Sequence, residues 1–191
     1  VKLQKQIYNN AMQDIVQQIH TSLLRTRMTI AAAESCTGGL LSCLLTSRPG
    51  SSAFFVLGAI VYSNEAKRRV LGIPRSKIEQ YGAVSRPVAM LMARRVRLLA
   101  RTDIGMGITG IAGPGGGSLK KPIGTVYIAV HAGGKGSCRK FRFRGSRTSI
   151  RKQAAYAALK ILGTVLVNPD ISQGKNQNRP RVFQNRPHVC R

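Results

Sequence analysis

Acid is what this sequence has least of. Six Asp and Glu stand against 31 Lys and Arg, a formal net charge of +25. Two-metal carboxylate centres and Asp-rich magnesium sites have only Asp14, Glu34, Glu65, Glu79, Asp103 and Asp170 to draw on. Histidine is as scarce. His20, His131 and His188 lie in unrelated segments, and none supports a serine triad. Tryptophan is absent and aromatics make up 5%, so base-stacking platforms would be sparse. Cys36, Cys43, Cys138 and Cys190 form no CxxC pair and have no zinc-like spacing. They read as reduced cytosolic thiols, which places the protein in the cytoplasm. No apolar run approaches the roughly 20 residues of a membrane-spanning helix. The polar opening segment carries no signal-peptide pattern.

What is present suits one α/β domain. The chain has 191 residues, 43% of them hydrophobic. Residues 3–24 have apolar side chains at helical spacing: Ile7, Met12, Ile15, Ile19 and Leu23. A strand is expected over 28–33, then a short helix over 38–46. The apolar run 54–62 suits a buried strand, expected over 54–63. A helix over 65–71 stops at Gly72 with Pro74 beyond, and another spans 76–81. Ser85 is a good N-cap, with Pro87 in the first turn of a helix running to about residue 100. Strands over 104–108, 124–130 and 138–143 follow, the last two joined by a turn at 133–136. A final helix over 148–166 turns Ile150, Ala154, Ala157, Ala158 and Ile161 inward. Interleaved helices and strands with one hairpin predict a layered α/β fold with a mixed sheet. The domain is expected over 1–167. Residues 168–191 read as a basic, disordered tail, too poor in apolar residues to offset the entropy of ordering.

Three segments carry candidate chemistry, each at the carboxyl end of an expected strand, the edge where open α/β sheets bind ligands. In the first, Glu34-Ser35-Cys36-Thr37-Gly38-Gly39, Ser35 lies between a strand and a helix start. It suits a nucleophile beside free amides, or a helix cap. In the second, Tyr62-Ser63-Asn64-Glu65-Ala66-Lys67, Lys67 is on the first helical turn. It suits a buried base of lowered pKa, or a solvated surface lysine. Ser63 or Asn64 would cap that helix. The third, residues 109–117, combines Thr109 with a glycine- and proline-rich run that lets backbone approach a ligand, or forms a plain flexible loop. It is neither a Walker A motif nor GxGxxG. The charge predicts attraction to polyanions, including nonspecific binding of nucleic acid.

Together these segments, with Pro49-Gly50-Ser51-Ser52, Gly82-Ala83-Val84-Ser85 and Lys121-Pro122-Ile123-Gly124-Thr125-Val126-Tyr127, resemble the CinA C-terminal domain family, over about residues 5–167 and in the family's order. That family includes stand-alone nicotinamide-nucleotide amidohydrolases. The resemblance implies a three-layer α/β/α fold with a mixed sheet of about five strands. It implies hydrolysis of nicotinamide mononucleotide to nicotinate mononucleotide and ammonia in pyridine-nucleotide salvage. It also implies no metal and a homodimer; no cofactor and no membrane partner are expected. Carried over by motif, Ser35 matches the family's serine, Lys67 its lysine and Thr109 its threonine. Tyr62 and Asn64 match pocket-lining positions. Arg147 and Arg151 are the two candidates for holding the phosphate. Cys36, Thr37, Gly38, Gly110 and Gly113 are the backbone positions expected around the substrate, with the amide of Cys36 and its neighbours holding the oxyanion. Where the family has an Asp before the first arginine, this chain has Ser146. The rival reading is a non-catalytic protein on the same fold, binding nucleic acid or serving in competence or repair.

Overall fold

The computed structural model describes residues 2–167, with side chains described from residue 10 onward. The tail expected over 168–191 lies outside the described residues. Alternation along the strands sets the architecture, because successive side chains point to opposite faces of a sheet. In β1 (Ile30–Glu34), Ile30 and Ala32 enter one core, while Ala31 and Ala33 enter another. The same division holds in β3 (Ile104–Gly110), where Ile104, Met106 and Ile108 join the first core. Gly105 and Gly107 on the other face meet α5 (Arg86–Ala100) so closely that a Cβ there would strike the carbonyls of Ala93 and Ala89.

The sheet has three more strands, β2 (Phe55–Ile60), β4 (Thr125–Ala132) and β5 (Lys135–Arg142), and runs in the order β2-β1-β3-β4-β5. β2, β1 and β3 are parallel, and β4 and β5 are antiparallel additions. One face carries α1 (Lys2–Thr26), α2 (Leu40–Leu45) and α6 (Arg147–Val167). The other carries α3 (Asn64–Leu71), α4 (Arg75–Tyr81) and α5. This is the three-layer arrangement with a mixed sheet that the sequence predicts. Local signals land where expected. Ser63 and Ser85 cap α3 and α5 through their hydroxyls, and Gly72 ends α3 in the left-handed region.

Three expectations change. The segment 54–63 is not a buried strand. β2 is a sheet edge with Val56, Gly58 and Ile60 exposed, and its ladder ends at Ile60. The hairpin turn shortens to Gly133-Gly134, both at positive φ, as a two-residue turn requires. α2 begins at Leu40, so four residues separate Ser35 from the helix proper. No helix among the described residues is long and apolar enough to cross a membrane.

Candidate active site

The parallel strands β1 and β3 deliver Ser35 and Thr109 side by side. Glu34 pairs with Ile108, and the Ser35 amide donates to the Ile108 carbonyl at 3.0 Å. By alternation Ser35 follows Ala33, and Thr109 follows Gly107, onto the face that carries α3 and α5. The Thr109 hydroxyl donates to the Ala83 carbonyl at 2.9 Å. Ala83 can only accept, so Thr109 turns its lone pairs toward the site.

Lys67 arrives from α3. The early end of β2 matters here. Val61 still ties to β1, its amide donating to the Glu34 carbonyl at 2.8 Å, but the chain then peels away from the ladder. The carbonyls of Val61 and Tyr62 are thereby freed, and Lys67 Nζ lies 2.9 and 3.1 Å from them. Its third neighbour is Ser35 Oγ, at 3.1 Å. Lys67 is only 1% exposed, and none of these partners is a carboxylate. Burial therefore pulls its pKa from the ordinary 10.5 down to about 8. The two carbonyls also fix direction. A neutral amine would give them its two hydrogens and aim its lone pair at Ser35.

The helix that follows Ser35 does not serve as an open anion site. Glu34, fully buried, turns to the opposite face and caps α2 from beneath. One carboxylate oxygen accepts from the amides of Gly39 and Leu41, both at 3.1 Å. The other accepts from the Ser42 amide at 2.7 Å and the Ser42 hydroxyl at 2.6 Å. The reading of Ser35 as a helix cap is thus displaced by Glu34, and the amides left beside Ser35 are those of Cys36 and Thr37. The Cys36 thiol is pushed up to about 12, chiefly by burial.

Around the Ser35–Lys67 pair is a cavity of about 180 Å³. Of the residues expected there, Ser35, Cys36, Tyr62, Asn64, Lys67, Thr109, Gly110 and Arg147 line it. Four others lie off its wall. Arg151 is occupied with the Thr37 carbonyl, donating through Nε at 3.2 Å and a terminal nitrogen at 2.8 Å. Thr37 is buried and Gly38 holds a positive φ against that guanidinium. Gly113 gives its carbonyl to Arg147 at 2.7 Å. The two arginines thus differ in kind. Arg147 reaches the rim, where it also donates to the Tyr62 hydroxyl at 2.7 Å, while Arg151 braces the turn behind Ser35. Sequence reasoning missed Ala83, Val84 and Ala112 as lining residues. The signal for the first two was the Gly82-Ala83-Val84-Ser85 motif, which marks the α4–α5 connection. No cluster of three or more His, Cys, Asp or Glu suited to a metal forms among the described residues.

The model of the CinA C-terminal domain family matches residues 12–166. The chain belongs to the CinA C-terminal domain family. A CinA-like protein of Leptospira biflexa is 47% identical over 161 residues, which is 84% of this chain and 39% of that protein. One from Geobacter metallireducens is 50% identical over 134 residues, 70% of this chain and 32% of that protein. The chain therefore spans about two-fifths or less of these relatives' length. Among solved structures, the Agrobacterium tumefaciens competence/damage inducible protein CihA matches with a TM-score of 0.80 and 37% identity, covering 83% of this chain and 96% of that one. A CinA superfamily protein of Klebsiella pneumoniae matches with a TM-score of 0.78 and 32% identity, covering 81% and 97%. The match thus runs over nearly the whole of these two solved chains.

Proposed function

We propose that this CinA domain hydrolyses the carboxamide of nicotinamide mononucleotide, with Ser35 as nucleophile and Lys67 as its base. The observation that carries this is the buried Lys67 amine 3.1 Å from Ser35 Oγ, flanked by two carbonyls and no carboxylate. With its pKa near 8, about one lysine in ten is neutral at pH 7. The neutral form takes the Ser35 proton as Oγ attacks the amide carbon. The oxyanion falls to the amides that follow Ser35, with Cys36 first, each donor contributing roughly 3 kcal/mol. Thr109 presents an acceptor, which suits the N–H of a carboxamide. Protonated Lys67 then returns the proton to the departing nitrogen, and ammonia leaves an ester on Ser35. Water, deprotonated by Lys67, releases the carboxylic acid.

The size of the cavity supports a small head group. At about 180 Å³ it is below the roughly 300 Å³ at which drug-sized sites begin. A single ring with its amide fits inside, leaving ribose and phosphate at the rim. There Arg147 offers a planar fork to a phosphate, which a lysine could not match. The test is ammonia release from nicotinamide mononucleotide by the purified chain, with Ser35→Ala as control. Absence of turnover by the wild-type chain, or full turnover by Ser35→Ala, overturns the assignment.

A further inference from the structure

The pocket at Ser35 uses little of the positive charge. Between Glu79 and Asp170 the sequence holds a single acid, Asp103. It is buried, with one carboxylate oxygen accepting from the Thr29 amide and hydroxyl. The exposed acids among the described residues are Asp14, Glu65 and Glu79, and the last two pair with Arg68, Arg69 and Arg75 on their own helices. The surface formed by α5, β4, β5 and the loop before β4 therefore carries cations with no exposed acid among them.

The cations are ordered along the outer rim of the sheet. Cys138 on β5 packs against Ala89 and Ala93 of α5, and by alternation Lys140 and Arg142 share its face. A groove of about 530 Å³ lies between α5 and the hairpin, with half-buried Met90 and Leu91 as apolar floor, exposed Leu98 at its edge, and Arg94 and Arg97 beside His131. Burial, then Arg97 and Arg94, hold the His131 imidazole below its ordinary pKa, so both guanidiniums are felt there. A second groove of about 840 Å³ lies beyond, between the glycine-rich loop and Lys120, Lys140 and Arg142. Arg86 stands between them, near enough to Cys138 to draw down a thiol that burial raises to about 11. None of these six cations forms an ion pair among the described residues. Arg97 is partly engaged, its Nε donating to the Asp103 carbonyl. Along β5, residues 136 to 142 cover about 20 Å.

We infer that this strip binds the phosphate backbone of single-stranded nucleic acid without regard to sequence. Successive phosphates meet Arg94 and Arg97, then Arg86, then Lys140, Arg142 and Lys120. The apolar floor of the first groove receives the face of an unstacked base, which a duplex cannot offer.

The test uses the full chain and labelled oligothymidylate and oligouridylate of about 20 nucleotides, followed by fluorescence anisotropy as salt is raised. Neutralising about three phosphates predicts a slope of about −2 in log K against log salt, steeper if the rest of the chain adds contacts. The variant R94E/K140E/R142E is expected to bind at least about 30-fold more weakly, with a shallower slope. R25E/K77E/K160E makes the same change of net charge away from the strip and is expected to lose less than about 3-fold. The milder R94A/K140A/R142A, with wild-type thermal unfolding, guards against misfolding and should lose about 10-fold. The inference is overturned by absence of wild-type binding at about 0.1 M salt. Equal loss in the two triple-Glu variants, tighter binding of a duplex of the same length, or stronger capture by phosphatidylserine vesicles at equal salt also overturns it.

Discussion

Two buried ionisable groups meet the carboxyl end of β1 on opposite faces, Glu34 from the strand itself and Lys67 from α3, and they are treated in opposite ways. On the α2 face, the Glu34 carboxylate accepts three amides and a hydroxyl. Every donor there is satisfied by the charge, and the group ties the strand to the helix. On the α3 face, Lys67 has only neutral acceptors, two carbonyls and Ser35 Oγ. The first arrangement makes a brace. The second disfavours the charged form of Lys67 and makes a base. Burial alone does not decide which a buried ionisable group becomes; the chemistry of its partners does.

The sharpest way to break this contrast is to remove the reactive side. Ser35→Ala and Lys67→Met should each lower kcat/KM for nicotinamide mononucleotide by at least about 10³-fold, measured by ammonia release. Stability should then separate the two faces. Glu34→Ala strands four donors and is expected to cost about 3 kcal/mol or more, read as a fall in Tm of at least about 6 °C. Lys67→Met should not destabilise. A pKa lowered from 10.5 to about 8 means that burying the charge costs roughly 3 kcal/mol. That cost is present in full below about pH 8, where native and unfolded chains both hold the proton. It is relieved as pH rises toward 10.5, because there the unfolded chain binds the proton and the native one does not. Denaturant melts should therefore show stability gained between those values in the wild type, and that gain absent in Lys67→Met.

The arginines sharpen the same distinction on a smaller scale. Arg147→Ala should raise KM about 10- to 100-fold with little change in Tm, since its fork is at the pocket rim. Arg151→Ala should cost about 1–2 kcal/mol of stability, because its donors hold the Thr37 carbonyl behind Ser35. The reverse pattern would move the phosphate site to Arg151.

Much of this was legible because strand ends announce themselves. Ser35, Lys67 and Thr109 each follow an apolar run, and a parallel arrangement of those runs brings them to one edge. Ser63, Gly72 and Ser85 are local signals that tertiary packing did not override. What escaped were roles played by backbone. Ala83 contributes a carbonyl to Thr109 and wall to the cavity, and nothing in an alanine side chain reveals that. The carbonyls of Val61 and Tyr62 reach Lys67 only because β2 ends at Ile60, two residues before its apolar pattern does. Glu34 stood in plain view beside Ser35. Its function became visible only when α2 began at Leu40 with the carboxylate beneath it. Arg147 and Arg151 both stood as candidates for the phosphate, and only the three-dimensional arrangement separates rim from brace.

The central claim is that a neutral Lys67 activates Ser35, and the pH dependence of kcat/KM for nicotinamide mononucleotide tests it most directly. The account predicts a limb that rises with pH through an apparent pKa near 8, the value to which burial brings Lys67, and that disappears from the residual activity of Lys67→Met. A profile flat from about pH 6 to 9, or the same limb persisting in Lys67→Met, would contradict it.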